Sequence, residues 1–450
     1  MEPFPHHVFI CTQAKPEGAT SCPANHSWQV LAALEAELCK QGLDDDVQVT
    51  TCGCLGLCDD RPVMIVYPEG VWYRKLKEED VAEIVSSHLR SGNIVSRLVW
   101  SDAQGMKAEA TEHRDHYRAM VKARDEAGIL ADDLNEMIRG FMPSRAVLTA
   151  LELDVFTAVG DGSSADQVAC KIESDERATE MLLNALVGLK LLEKRGETFL
   201  NSPVSARFFS AGSRDNALPA LLHTAHLWDR WSTLTECVKA GTSVERNQRE
   251  PDGVRDFIAA MDRNAKERAG AVVKAIGPNG MRRMLDLGGG SGAYSIALAQ
   301  AIPNLSSEIL DQADVIPLAH AYIRKAGLEE RVTTRVGDML RDPLGKNYDL
   351  ILVSAICHMF SAEENCKLFR RIYDALARHG QVVVQDFILE PSKTSPRFAT
   401  LFSLNMLVGT KAGSSYSEPE YTEWLQNAGF SDVRRVRLPG PAGLMIGLRN

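Results

Sequence analysis

At 450 residues the chain exceeds one typical domain, so two or three are expected. Hydrophobic residues make up 45% of it, enough for sizeable cores, and a formal net charge of -10 argues against a general nucleic-acid or anionic-membrane surface. No apolar run reaches the length of a bilayer span, and Met1-Glu2-Pro3-Phe4-Pro5-His6-His7 has no signal-peptide character, so the expectation is a soluble, cytoplasmic protein.

Six of the ten cysteines lie before residue 60. That is no whole-chain disulfide framework; in a reducing compartment it points to a metal site. Residues 1–98 read as a compact α/β unit. It has a strand at His7 to Ile10, a helix from Trp28 to Lys40 closed by Gly42, and a strand at Val47 to Thr50. A third strand at Pro62 to Tyr67 turns through Gly70, and a closing helix runs from Glu78 to Leu89. Cys11, Cys22, Cys54 and Cys58 fall in loops at strand ends. Four thiolates can hold zinc or a [2Fe-2S] cluster. Zinc ribbons present two close Cys-x2-Cys knuckles, whereas here the first pair is widely separated and the second is Cys-x3-Cys. This arrangement, with Cys54-Leu55-Gly56-Leu57-Cys58 and Tyr67-Pro68-Glu69-Gly70-Val71-Trp72-Tyr73, resembles the thioredoxin-like [2Fe-2S] ferredoxins. The resemblance implies a cluster on those four residues, with Cys52 as an alternative ligand, and an electron-transfer partner. Cys39, facing along a helix, reads as packing.

Residues 99–115 are polar and Ala/Glu-rich, an exposed linker of helical composition. Residues 116–280 are mainly helical, with apolar residues at helical spacing from Leu134 to Phe141 and from Arg145 to Ala158. Ser163-Ser164-Ala165-Asp166 opens another helix. Ala178 to Leu189 followed by a hairpin turning at Gly196 gives a winged-helix pattern. The wing carries only Lys194 and Arg195 and the preceding helix is largely apolar, which weighs against DNA reading. Trp231, Phe257 and Met261 belong to an aromatic and thioether stripe whose default role is core.

From 281 to 450 the pattern is a doubly wound α/β domain. Met284-Leu285-Asp286-Leu287 is a short buried strand, Gly288-Gly289-Gly290-Ser291-Gly292 a tight loop, and Ala293 onward an opening helix whose free N–H groups face the loop. A glycine-rich turn with no ligand is the plain alternative. Two later acids weigh against it: Asp311 ends a second strand, where a carboxylate meets ribose hydroxyls, and Gly337-Asp338-Met339 follows a third, where an acid and a Met can clamp adenine. These residues resemble the class I S-adenosylmethionine-dependent methyltransferases, most nearly the hydroxyindole and plant phenolic O-methyltransferases, over roughly residues 115 to 450. The resemblance implies S-adenosylmethionine held by Asp286, Gly288, Gly290, Gly292, Asp311, Asp338, Met339 and Ser354. It also implies a homodimer through the winged-helix region and a substrate roof that includes Trp231, Phe257 and Met261.

Methyl transfer to a phenol needs a base, because a hydroxyl with pKa of about 10 is a poor nucleophile at neutral pH. His358, in Ser354-Ala355-Ile356-Cys357-His358, stands just beyond the fourth strand and resembles the family's general base; Asp386, ending the fifth, matches the acid that orients it. Two departures stand out: Met359 replaces the family's Asp, and Ser414-Ser415-Tyr416 occupies the place of a second acid. The expected function is O-methylation of a small aromatic or hydroxylated molecule. The fused cluster leaves a redox reaction on the same scaffold as the competing reading, and a non-enzymatic redox sensor as a third.

Overall fold

The computed structural model describes residues 4–12, 26–57, 62–126, 132–244, 253–277 and 280–450. The chain divides into two compact units, Met1–Phe141 and Met142–Asn450. Among the described residues no helix is long and apolar enough to cross a membrane.

The first unit is built on a four-stranded sheet. Strand β1 (His6–Cys11) runs parallel to β2 (Val47–Cys52), and helix α1 (Ser27–Gln41) connects them. Strands β3 (Met64–Tyr67) and β4 (Val71–Tyr73) form an antiparallel hairpin on the other side of β1, giving the order β2-β1-β3-β4. Helix α1 stops where Gly42 turns left-handed at φ 63, a conformation glycine adopts without the Cβ penalty. Val8, Ile10, Leu34, Leu38, Met64, Val66 and Tyr73 are buried between sheet and helices, joined by Val81 and Ile84 from α2 (Glu78–Glu83) and its π-helical continuation Ile84–Leu89. The stretch expected as a linker lies largely within a 24-residue helix, α3 (Ala103–Glu126). Asp102 starts it by accepting the Gly105 N–H at 2.8 Å. Helix α4 (Asp132–Arg139) follows.

The second unit begins within α5 (Phe141–Glu152), at Met142, and continues with α6 (Val155–Val159). The periodicity predicted one helix from Arg145 to Ala158; the break comes at Asp154, whose left-handed φ of 51 cannot continue a right-handed helix. Helix α7 (Ala165–Lys171) opens with a capping box between Ser164 and Gln167, and α8 (Glu176–Gly188) with Asp175 accepting the Ala178 N–H. The wing is the hairpin of β5 (Leu192–Arg195) and β6 (Thr198–Asn201). Its Lys194 pairs with Glu180 and lies over the Phe199 ring, and its Arg195 pairs with Glu193, so both cations are already engaged. Helices α9 (Pro203–Phe208), α10 (Leu218–Trp231), α11 (Leu234–Ala240) and α12 (Gly253–Ile276) lead into the large sheet.

That sheet has seven strands: β7 (Arg283–Leu287), β8 (Ser306–Asp311), β9 (Val332–Val336), β10 (Tyr348–Ser354), β11 (Leu376–Asp386), β12 (Ser431–Arg437) and β13 (Gly443–Leu448), in the order β12-β13-β11-β10-β7-β8-β9. The five central and β9-side strands are parallel, and the last two add an antiparallel hairpin. Strand alternation splits the buried side chains between two faces. Leu350, Leu352 and Val383 pack against α12 and α13 (Ala293–Ala301). Ile351, Val353, Val382 and Val384 pack against α15 (Ala362–Ala375) and α17 (Glu418–Ala428). Helix α14 (Ile316–Ala326) packs Ala319 and Ile323 against Ile309 and Val332 at the β8–β9 side, and α16 (Arg397–Gly409) follows β11 in the chain.

Candidate active site

Strand order reverses between β7 and β10: the chain leaves β7 toward β8 on one side and β10 toward β11 on the other. The carboxyl ends of these two neighbours, with Leu287 beside Val353, therefore open onto a crevice that no crossover helix fills. The glycine loop lines one lip and the segment after Ser354 lines the other.

On the first lip the backbone does the shaping. Gly288 has φ 66 and donates its N–H to Leu310 O at 2.8 Å; a Cβ there would come within 2.3 Å of Ile356 Cδ1 and 3.2 Å of Met339 Cε. Gly290 has φ 59 and meets only Ile258 Cδ1, at 3.6 Å, so the space above it is open. Gly292 caps α13. Asp286 is 1% exposed and lies beneath Gly289, so it reaches the crevice through the loop above it. Its Oδ2 accepts the Ser295 hydroxyl at 2.6 Å, Ser307 in turn donates to Ser295, and Oδ1 has no partner among the described residues. Burial pushes its carboxyl up to about 7. Asp311 accepts the N–H of Gly290 at 2.8 Å and of Gln312 at 2.7 Å, and burial raises its pKa in spite of them. Met339 is half-buried beside Gly288. Asp338 sits at the exposed edge, with Oδ1 accepting the Leu340 N–H at 2.8 Å.

On the second lip side chains hold one another. Ser354 donates to Gln385 Oε1 at 2.7 Å, and Tyr294 donates to the same oxygen at 3.2 Å. Gln385 Nε2 is buried without a partner among the described residues. His358, 6% exposed, sits in a short 3-10 turn, Cys357–Met359, that follows β10. Its Nδ1 is 2.6 Å from Asp386 Oδ1. A carboxylate only accepts, so Nδ1 donates here, and in the neutral imidazole the lone pair lies on Nε2. Asp386 is itself fixed: Oδ1 also accepts the Phe387 N–H, and Oδ2 accepts the His358 N–H at 3.2 Å and the Tyr421 hydroxyl at 2.9 Å. Phe402 stands edge-on to the imidazole at 4.8 Å between centroids, and Phe387 and Phe398 continue that aromatic wall. Gly413 closes against the His358 carbonyl oxygen, where a Cβ would come within 2.3 Å.

The roof candidates fall on α10, near the second lip, and on α12, which reaches the first through Ile258. Trp231 donates its indole N–H to Asn405 at 2.9 Å, one turn along α16 from Phe402. Phe257 is edge-on to His223 and adjacent in sequence to Ile258, which faces Gly290. Met261 follows one turn later on α12. Burial, with Arg230 and His226 nearby, pushes His223 down to about 4.

Tyr421, Gln385, Tyr294 and Ser295 were not found from sequence. Each sits at an apolar-periodic position of a helix or strand, where the pattern signals core and says nothing of a hydroxyl or amide meeting a partner across the sheet.

In the first unit Cys11 is buried and lies beside Cys52 at the ends of the paired parallel strands β1 and β2. Cys54 follows two residues later, exposed, with its sulfur accepting the Gly56 N–H at 3.3 Å. Cys22 and Cys58 lie outside the described residues. Among the described residues no three His, Cys, Asp or Glu side chains come together as a metal site.

Residues 235–431 match the O-methyltransferase domain, and residues 135–211 the O-methyltransferase dimerisation domain. Over 327 residues the chain is 31% identical to 3-hydroxy-5-methyl-1-naphthoate 3-O-methyltransferase of Streptomyces sahachiroi, covering 70% of this chain and 94% of that one. It is 30% identical over 360 residues to mouse (Mus musculus) acetylserotonin O-methyltransferase, covering 74% and 92%. A solved structure of PigF with SAH superposes with a TM-score of 0.67 at 26% identity, over 71% of this chain and all (100%) of that one. The two domain matches leave residues 1–134 outside them. The chain belongs to the O-methyltransferase family and is an S-adenosylmethionine-dependent methyltransferase.

Proposed function

We propose that the protein methylates a hydroxyl of a small aromatic acceptor, with His358 Nε2 taking the hydroxyl proton. The observation that carries this is the His358–Asp386 pair, Nδ1 to Oδ1 at 2.6 Å, which in the neutral imidazole leaves the lone pair on Nε2. Asp386 would stabilise the imidazolium formed as the proton arrives, as the acid of a triad does. Bound S-adenosylmethionine would supply an electrophilic methyl group on a sulfonium. The cradle fits such a ligand: Gly290 leaves open space, and Asp286 Oδ1 and Gln385 Nε2 are buried polar atoms without partners among the described residues. Asp311 would take the ribose hydroxyls, Met339 and Asp338 the adenine, and Ser354 the methionine end, with Gly288 and Gly292 shaping the loop and Asp286 bracing it from below.

Phe387, Phe398 and Phe402 beside His358 favour a flat aromatic acceptor, and the relatives that act on a naphthoate and on acetylserotonin agree with that class. Residues 116–280 serve as the dimerisation and roof region, ahead of the methyltransferase domain at 281–450. The test is incubation with S-adenosylmethionine and a panel of phenols, read by mass spectrometry. A methylated product with one equivalent of S-adenosylhomocysteine is expected; turnover that requires dithionite and leaves S-adenosylmethionine intact would favour the redox reading instead.

Residues 1–98 follow the strand, helix, strand, hairpin, helix order expected of a thioredoxin-like ferredoxin domain, and we propose that Cys11, Cys22, Cys54 and Cys58 hold a [2Fe-2S] cluster there. The pairing of Cys11 with Cys52 at adjacent strand ends and the Gly56 N–H on the Cys54 sulfur support it. Such a cluster would carry one electron and take no part in the methyl-transfer step. Protein purified without oxygen should contain iron and sulfide in equal amounts and absorb in the visible; Cys54→Ser should bleach it and Cys39→Ser should not. Colourless protein with one zinc per chain would contradict the assignment.

A further inference from the structure

We infer that Tyr421 is a positioning residue for methyl transfer: by donating its phenol O–H to Asp386 Oδ2, it sets how strongly that carboxylate holds a protonated His358. The inference rests on the reading of His358 as the base.

Four donors surround Asp386. Oδ1 takes the imidazole at 2.6 Å and the Phe387 N–H at 2.8 Å; Oδ2 takes the His358 N–H at 3.2 Å and the Tyr421 hydroxyl at 2.9 Å. Three of these come from the strand-end segments that carry the pair. Tyr421 alone arrives from elsewhere, the first turn of α17, and it is 0% exposed, as Asp386 is 2% exposed. In so dry a site a hydrogen bond to a charged oxygen is strong, and charge drawn to Oδ2 is charge withdrawn from the side facing Nδ1.

The other ionisable groups around the carboxylate leave the adjustment to Tyr421. Burial, then the nearby Asp386 charge, push both the Tyr421 phenol and the Cys357 thiol well above their ordinary values, so both stay protonated. Tyr416, pushed up to about 12 by burial, gives its hydroxyl to the Phe360 carbonyl oxygen. Glu364 and Glu420 are engaged in capping boxes with Ser361 and Ser417. Arg268 lies over the ring of Phe387, 5.5 Å from its centroid.

Tyr421→Phe tests this, because the ring that packs on Trp424, Tyr416 and Phe369 is retained and only the O–H is lost. Freed of the donor, Asp386 holds the imidazolium more tightly, so the acid limb of the kcat/KM profile should move up by about half to one pH unit, the scale of one hydrogen bond to a charged group. Below that limb the rate should fall by roughly 3- to 10-fold. Above it, and in S-adenosylmethionine affinity, the variant should match wild type. Replacing Tyr421 with 3-fluorotyrosine, a stronger donor of nearly the same shape, should move the limb down. In an Asp386→Asn background Tyr421→Phe should shift nothing further. An unmoved limb, or a loss uniform across pH, overturns the inference. His358→Ala separates the two failures: if it is crippled while the Tyr421→Phe limb stays put, only this inference falls; if it turns over at the wild-type rate, the base assignment falls and this inference with it.

Discussion

The two lips of the crevice solve the same problem with different materials. After β7, binding is left to backbone: glycines at positive φ, open space at Gly290, and a carboxylate at the end of the next strand pinned by main-chain N–H groups. After β10, chemistry is left to side chains, each held by another: Asp386 by four donors, His358 by Asp386, Ser354 by Gln385. A ligand present in every turnover can be met by a fixed backbone, whereas a proton must be moved by a group that can change its charge. The lips meet where Ile356 of the second packs over Gly288 of the first, and where Tyr294, on the helix after the glycine loop, donates to Gln385.

That contrast can be broken in graded steps. The largest effect is expected at the glycines, and it differs between them. Gly290→Val should fold and lose measurable S-adenosylmethionine binding in calorimetry, because its side chain enters open space, at a backbone cost of about 1–2 kcal/mol for a left-handed residue. Gly288→Val should also displace Ile356, two residues before His358, and so depress turnover even at saturating cofactor. If Gly290→Val binds normally, the ligand does not pass over that residue.

Next in size is Asp311→Ala. Loss of charge-assisted hydrogen bonds to the ribose should weaken S-adenosylmethionine binding by roughly 1.5–3 kcal/mol, with turnover at saturation changed far less. An equal fall in both would mean that the two lips are not separable.

The smallest effect concerns Asp286, which belongs to neither lip and braces the loop from below. Its carboxyl is raised by burial from an ordinary 3.8 to about 7. Between those values the folded state holds the proton and the unfolded state has lost it, so this group's contribution to stability falls as pH rises through the window. Asp286→Asn cannot ionise and should lack that decline. In thermal melts without cofactor, the variant should gain on wild type by a few degrees between pH 4 and pH 7. Parallel curves would mean that Asp286 ionises normally beneath the loop.

Much of the second unit was legible in the sequence because its signals are local. Met284 to Gly292 joins a β-type apolar run to glycines and a helix start, and His358 and Asp386 each follow a run of buried β-formers. The break at Asp154 was not legible, since the apolar periodicity runs through it and only the backbone shows the left-handed turn. The helix of 103–126 was legible in composition but not in extent: its polar, Ala/Glu-rich stretch is that of a helical linker, and its start shows only where Asp102 caps it. The bracing groups stayed hidden for a different reason. Tyr421 and Gln385 lie 35 and 31 residues in sequence from the partners they hold, and their spacing within their own elements is that of core.

The most direct measurement is the pH profile of His358→Ala. The account predicts nearly unchanged S-adenosylmethionine affinity and a methylation rate lower by roughly 10²–10⁴ at neutral pH, the usual contribution of positioned proton transfer. The deficit should narrow as pH approaches the acceptor's own pKa, where the phenolate forms without help. Wild-type turnover by His358→Ala across neutral pH would contradict the assignment of this imidazole as the base.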